Sequence, residues 1–179
     1  MPPHLTLITG GCKSGKSARA LQIADGLEKE DGADLEKIFI ATCRAADDEM
    51  RQRVAAHQKE RGPLWKTLEI DVALFEAIDG RDRPGAVTLV DCLTLWVNNL
   101  LMEEAGEAVM GRRVRDFLDR LKAPKGRIIL VTNEVGSGIV PANPLARRFR
   151  DMAGTLNQAA AALAHDVIWM VSGVPVKIK

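Results

Sequence analysis

An octet near the start of the chain, "GGCKSGKS", constrains the fold more than any other stretch. Gly10 to Ser17 fit the pattern G-x-x-x-x-G-K-[ST], with the apolar run "LTLIT" (5–9) before it and the helix-forming "SARALQIADGLEKE" (17–30) after it. Strand, glycine turn and helix in that order aim backbone N–H groups and a positive helix end at one point, which is a site for phosphate. Gly10 and Gly15 permit the tight turn, Lys16 is placed to reach β- and γ-phosphates, and the Ser17 hydroxyl can ligate Mg²⁺. Average residue frequencies give fewer than about one chance match in a hundred chains of this length.

Beyond the octet, short β-rich runs alternate with longer helical patterns. Strands are expected at "KIFIAT" (37–42), "WKTLEI" (65–70), "AVTLVD" (86–91), "RIILVTN" (127–133) and "DVIWMVS" (166–172), with "VPVKIK" as a final edge strand. Helices are expected over 47–61, "DVALFEAI" (71–78), 92–104 and 107–121, and a long one capped by Asn143 and opened by Pro144. This alternation predicts one α/β domain spanning 1–179 around a mainly parallel sheet flanked by helices. Net charge is +1, so no global field draws the chain to nucleic acid or an anionic membrane. The apolar runs are too short to span a bilayer, and "MPPHLTLITGG" lacks the charged start and long apolar core of a signal peptide. Cys12, Cys43 and Cys92 are too few and too scattered for a disulfide framework, which fits a reducing cytoplasm and makes them small apolar fillers before metal ligands.

Several residues stand out against blander readings. Asp91 ends a buried-looking strand, where a P-loop enzyme keeps a carboxylate for the Mg²⁺ water shell, although an aspartate there can equally cap the next helix. Met50, Arg53, Val54, His57 and Arg61 share about a third of a helix circumference. Two guanidinium groups there would keep the His57 imidazole neutral, as a nucleophile requires, and could themselves bind phosphate oxygens. A histidine at the edge of an amphipathic surface helix would look the same. Arg147, Arg148 and Arg150 sit at the start of a helix, where cations are disfavoured; they ask for an anion ligand or nearby carboxylates, unless they form a solvated basic face.

Taken together, "ITGGCKSGKS", "FIATCRAADDEMRQRVAAHQKER" followed by "W", "VDCLTLWVNNLL", "VTNEVGSGIVPANPLARRFRDMAGTLNQ" and "VSGVPVKIK" resemble the bifunctional adenosylcobinamide kinase / adenosylcobinamide-phosphate guanylyltransferase family of cobalamin biosynthesis, almost end to end. The resemblance implies a RecA-like P-loop NTPase fold assembled as a homotrimer. It implies phosphorylation of adenosylcobinamide by ATP or GTP, then transfer of GMP from GTP to adenosylcobinamide phosphate through a guanylylated histidine. The matching position for that histidine is His57; some relatives have two adjacent histidines, whereas here Ala56 precedes it. The carry-over puts Gly10, Gly11, Cys12, Lys13, Ser14, Gly15, Lys16 and Ser17 on the nucleotide phosphates, Ala41, Thr42, Cys43 and Glu69 near the guanine nucleotide, and Asp91 with Ser17 at the Mg²⁺, partly through water; Arg61 is a further expected nucleotide-binding residue. The "EVGSGIVPANP" loop and Trp96 are candidates to cover the bulky second substrate. The alternatives are a guanylyltransferase alone, another small-molecule P-loop kinase, or, from a different class, a RecA-like ATP-driven binding module.

Overall fold

The computed structural model describes residues 2–31, 35–43, 62–103 and 106–179. Along the chain these form β1 (His4–Gly10), α1 (Lys16–Asp31), β2 (Glu36–Ala41), β3 (Trp65–Glu69), α2 (Leu74–Asp79), β4 (Ala86–Asp91), α3 (Leu93–Met102), α4 (Glu107–Leu121), β5 (Arg127–Val131), α5 (Pro144–Leu163), β6 (Asp166–Val171) and β7 (Val174–Lys177). All seven strands join one sheet in the order β3-β2-β4-β5-β1-β6-β7. Every pairing is parallel except β6 with β7. The expected helix over 47–61, with His57 and Arg61, lies outside the described residues.

The apolar runs are continuous because both faces of the central strands are covered. On one face α1 brings Ala20 and Ala24 against Ile8, Val87, Leu89, Ile129 and Val131. On the other, Leu5, Leu7, Ile40, Val90, Ile128 and Leu130 meet Ile78, Leu93, Trp96, Leu100, Phe117 and Leu156 from α2 to α5. Trp96 is fully buried there and donates its indole N–H to the Val72 carbonyl, so it does not cover a substrate. Asn143 caps α5 as expected, accepting from the Leu145 and Ala146 amides at 2.8 and 3.2 Å.

Two elements are shorter than their sequence patterns. α2 begins at Leu74 instead of Asp71. The carbonyls of Asp71 and Val72 are taken by Asn99 and Trp96 on α3, which holds that segment out of the helix. β5 stops at Val131: the Thr132 amide still donates to the Ile8 carbonyl at 3.0 Å, but both backbone polar groups of Asn133 are taken by side chains of α3 and α5.

The entry to β5 depends on one buried carboxylate. Asp82, only 4% exposed, accepts from the Gly126 and Lys125 amides at 2.6 and 2.8 Å and pairs with the Arg120 guanidinium. Removing one partner from a buried charged network typically costs about 3–5 kcal/mol. Asp82→Ala should therefore lower the urea unfolding free energy by about that amount. A loss below about 1 kcal/mol, the scale of a surface ion pair, would contradict this role.

Candidate active site

The turn after β1 is built by glycine geometry. Gly10 and Gly15 hold φ values of +150° and +91°, in the region that L side chains rarely adopt. A Cβ on Gly10 would lie 2.5 Å from the Met170 carbonyl oxygen and 2.9 Å from Ser14 Oγ. The turn is braced from both sides. The Gly10 carbonyl accepts from the Glu134 amide at 3.0 Å, and the Ser14 carbonyl from the Gly173 amide at 3.1 Å. Ser172 and Gly173, with φ values of 49° and 88°, form the two-residue turn of the β6–β7 hairpin, whose positive φ values match strand twist. That hairpin tip supports the P-loop, a role the sequence reading did not assign to it.

Lys16 opens α1 and is 7% exposed. Its ammonium donates to the Gly11 carbonyl at 2.5 Å and lies 3.5 Å from Ser14 Oγ. Burial is the strongest influence on it and holds its pKa below the ordinary lysine value, opposed by Coulombic attraction to Cys92, Asp91 and Cys12. The lysine is thus folded back on its own loop, a charge placed where an anion would relieve its desolvation.

Lys13 to Ser17, Asp91 and Asn133 line one cavity of about 370 Å³. Sheet register explains the convergence. Glu69 pairs with Ala41, Ala41 with Asp91, Asp91 with Val131, and Val131 with Ile8, a single row across five strands at their C-terminal edge. At about 4.8 Å per strand, the row runs about 19 Å from Glu69 to the P-loop strand. The N-cap position of α3 is Cys92, one residue beyond Asp91. Ser17 and Asp91 are oxygen donors of the kind a hard cation takes, and one or two such groups suit Mg²⁺ when phosphates complete its shell. No group of three or more metal-binding side chains occurs among the described residues.

The other predicted site residues that the structure describes lie on the P-loop or along the same sheet edge. Gly10, Gly11 and Cys12 form the first half of the turn, with Cys12 exposed. Ala41, Thr42, Cys43 and Glu69 lie along the same sheet edge, outside the cavity lining. Thr42 is fully buried; its hydroxyl donates to the Cys92 carbonyl at 2.7 Å and accepts from the Cys92 amide at 2.8 Å. Its side chain therefore locks the ends of β2 and β4 together, leaving half-buried Cys43 as the outermost residue of that trio. The basic start of α5 finds partners of two kinds. Arg148 pairs with Glu107 at 2.8 Å, while Arg147 and Arg150 donate to the carbonyls of Pro141, Ala142 and Gly136, shaping the "EVGSGIVPANP" loop. In that loop Ile139 and Val140 are 96% and 63% exposed. The sequence reading missed the polar cluster of Thr94, Thr132, Asn133 and Asn157; the only trace of it was the polar pair that ends "RIILVTN".

Comparison with known proteins agrees with this geometry. Residues 6–178 match the family model described as cobinamide kinase / cobinamide phosphate guanyltransferase. The chain is 42% identical over 173 residues to the bifunctional adenosylcobalamin biosynthesis protein CobP of Pseudomonas aeruginosa, covering 97% of this chain and 96% of that one. It is 37% identical over 187 residues to the bifunctional adenosylcobalamin biosynthesis protein CobU of Escherichia coli K12, covering 98% and 99%. The CobU of Salmonella typhimurium LT2 is 40% identical with the same coverage. A solved structure from Pyrococcus horikoshii OT3 superposes with a TM-score of 0.51 at 10% identity, over all of this chain and 88% of that one, a likeness of fold.

The thiols report on the cavity directly. Burial pushes the Cys92 thiol up to about 11, whereas Cys12 is exposed on the P-loop. A thiolate is the reactive form, so iodoacetamide at pH 8 should modify Cys12 and spare Cys92. Peptide mapping should show Cys92 reacting only as the pH approaches 11, and GTP should slow the Cys12 reaction. Early modification of Cys92 would contradict this packing.

Proposed function

The chain belongs to the cobinamide kinase / cobinamide phosphate guanyltransferase family, and on that premise we propose that residues 1–179 act as one domain carrying out both reactions at the P-loop cavity. In the first, the aminopropanol hydroxyl oxygen of adenosylcobinamide attacks the γ-phosphorus of ATP or GTP. The bond to the β-phosphate oxygen breaks, the nucleoside diphosphate leaves, and the hydroxyl proton is released. In the second, the neutral His57 imidazole attacks the α-phosphorus of GTP and pyrophosphate leaves. A phosphate oxygen of adenosylcobinamide phosphate then attacks the same phosphorus, the P–N bond breaks, and adenosylcobinamide-GDP forms as the imidazole is regenerated.

The observation that carries this reading is the convergence of Lys16, Ser17 and Asp91 on one cavity, at the same sheet edge as Ala41 and Glu69. Both reactions cleave a triphosphate, so both need negative charge held at its β- and γ-phosphates. The P-loop amides, the start of α1 and Lys16 meet that need. Gly10 to Lys16 hold the phosphates, Ser17 and Asp91 hold Mg²⁺, and Ala41 to Cys43 with Glu69 lie toward the guanine nucleotide. Bound Mg²⁺ would neutralise phosphate charge and orient the triphosphate. Arg53 and Arg61, each four residues from His57 in the sequence, keep the imidazole neutral and meet phosphate oxygens. The covalent step divides one transfer into two displacements.

The assembly in this reading is a homotrimer. Self-association is supported by an uncovered apolar face on the terminal hairpin, where Trp169 pairs with Val176 and Val171 with Val174, all exposed. The enzyme works in the cytoplasm, which supplies ATP and GTP and keeps the three free cysteines reduced. No helix among the described residues is long and apolar enough to cross a membrane.

His57 separates the two activities. Incubated with α-labelled GTP and Mg²⁺ but no corrinoid, the protein should gain one GMP, acid-labile and base-stable as a phosphoramidate is. His57→Asn should abolish this labelling and guanylyl transfer while adenosylcobinamide is still phosphorylated. Labelling that persists in the variant would overturn the assignment.

A further inference from the structure

Asn133 follows β5 by two residues and is held in an unusual way. Its amide donates to Thr94 Oγ1 at 2.7 Å. The Thr94 hydroxyl lies 3.2 Å from Thr132 Oγ1, which in turn donates to Asn157 Oδ1 at 2.7 Å. Asn157 Nδ2 donates back to the Asn133 carbonyl at 3.1 Å, closing a ring. Each hydroxyl in it both donates and accepts, with Thr94 giving its proton to Thr132. Thr132 is fully buried and Thr94 is 5% exposed. Side chains from three parts of the chain thus fix both backbone polar groups of a single residue.

The ring leaves the Asn133 side chain out. Among the described residues the side-chain amide makes no hydrogen bond, and Asn133 is one of the residues that line the cavity with Lys16, Ser17 and Asp91. β5 lies between β1 and β4, so its continuation falls between the P-loop and Asp91. The Thr132 and Glu134 amides donate to the Ile8 and Gly10 carbonyls, each at 3.0 Å, so the register carries Asn133 level with Gly10, where the P-loop begins. A polar group with its backbone locked by buried hydrogen bonds and its donors free is the arrangement a binding site needs, since little freedom remains to be lost.

We propose that the Asn133 side-chain amide donates a hydrogen bond to the terminal phosphate of the bound nucleotide, aimed there by the ring of Thr94, Thr132 and Asn157. This rests on the nucleotide reading of the cavity given above. Asn133 is then a specificity residue for triphosphate over diphosphate. It serves the γ-phosphoryl group in the kinase reaction and the leaving pyrophosphate in guanylyl transfer.

The test compares the binding of α,β-methylene GTP with that of α,β-methylene GDP, neither of which can be attacked productively at the α-phosphorus. Calorimetry with Mg²⁺ and no corrinoid gives both affinities. Asn133→Asp keeps the shape but replaces the donor by a carboxylate. It should weaken the triphosphate analogue by about tenfold or more, the size of a lost hydrogen bond to a charged group, and the diphosphate analogue by under about threefold. Asn133→Ala should lie between the parent and Asn133→Asp. Thr94→Val, which opens the ring, should lose part of the same discrimination. Equal losses for the two analogues would mean a structural role and overturn the proposal. So would tighter triphosphate binding by Asn133→Asp, which would make the residue a metal ligand. A parent that discriminates the analogues but never turns over a corrinoid would overturn the assigned function and, with the Asn133→Asp loss intact, still uphold this inference.

Discussion

Parallel pairing of β3, β2, β4, β5 and β1 is the constraint on which the site depends. Strands that run the same way deliver their carboxyl ends to one edge, and the register puts Glu69, Ala41, Asp91, Val131 and Ile8 in line there. Residues far apart in sequence then meet at one end of the sheet without any loop having to reach for them. The apolar interior below that edge holds the row in place through Leu89, Val90, Ile129 and Leu130. Slipping one strand by a residue would turn its buried set to the opposite face, so core and site are specified by the same register.

Charge at the edge is arranged before any nucleotide arrives. Lys16 is buried against its own loop, with burial lowering its pKa and Asp91 among the groups that oppose the shift. A phosphate in the cavity would replace the Gly11 carbonyl as its partner and offset the desolvation it already bears. The surrounding turn does not need to reorganise for this. Gly10 is held by the Glu134 amide and Ser14 by the Gly173 amide, so the donors stand fixed at the moment of reaction, where preorganised dipoles are most effective.

Much of this was legible in the sequence because its signals are local. The P-loop reads from eight consecutive residues, Asp91 from its place at the end of an apolar run, and the α5 cap from Asn143 and Pro144. What was not legible depends on meetings across the fold. The ring around Asn133 joins positions 94, 132, 133 and 157, each an ordinary polar residue in its own segment. The two bonds between the Thr42 hydroxyl and the Cys92 backbone join segments fifty residues apart. Trp96 looked available to a substrate because an apolar helix does not say which of its faces is covered.

The central claim is that one phosphate cavity serves attack at two different phosphorus atoms. The most direct measurement is the rate of each reaction in Lys16→Ala, assayed side by side with the parent and checked for an unchanged fold. Loss of one preorganised charge should slow both reactions by about a hundredfold or more. A variant that keeps near-parental activity in either reaction would contradict the claim and require a second phosphate site.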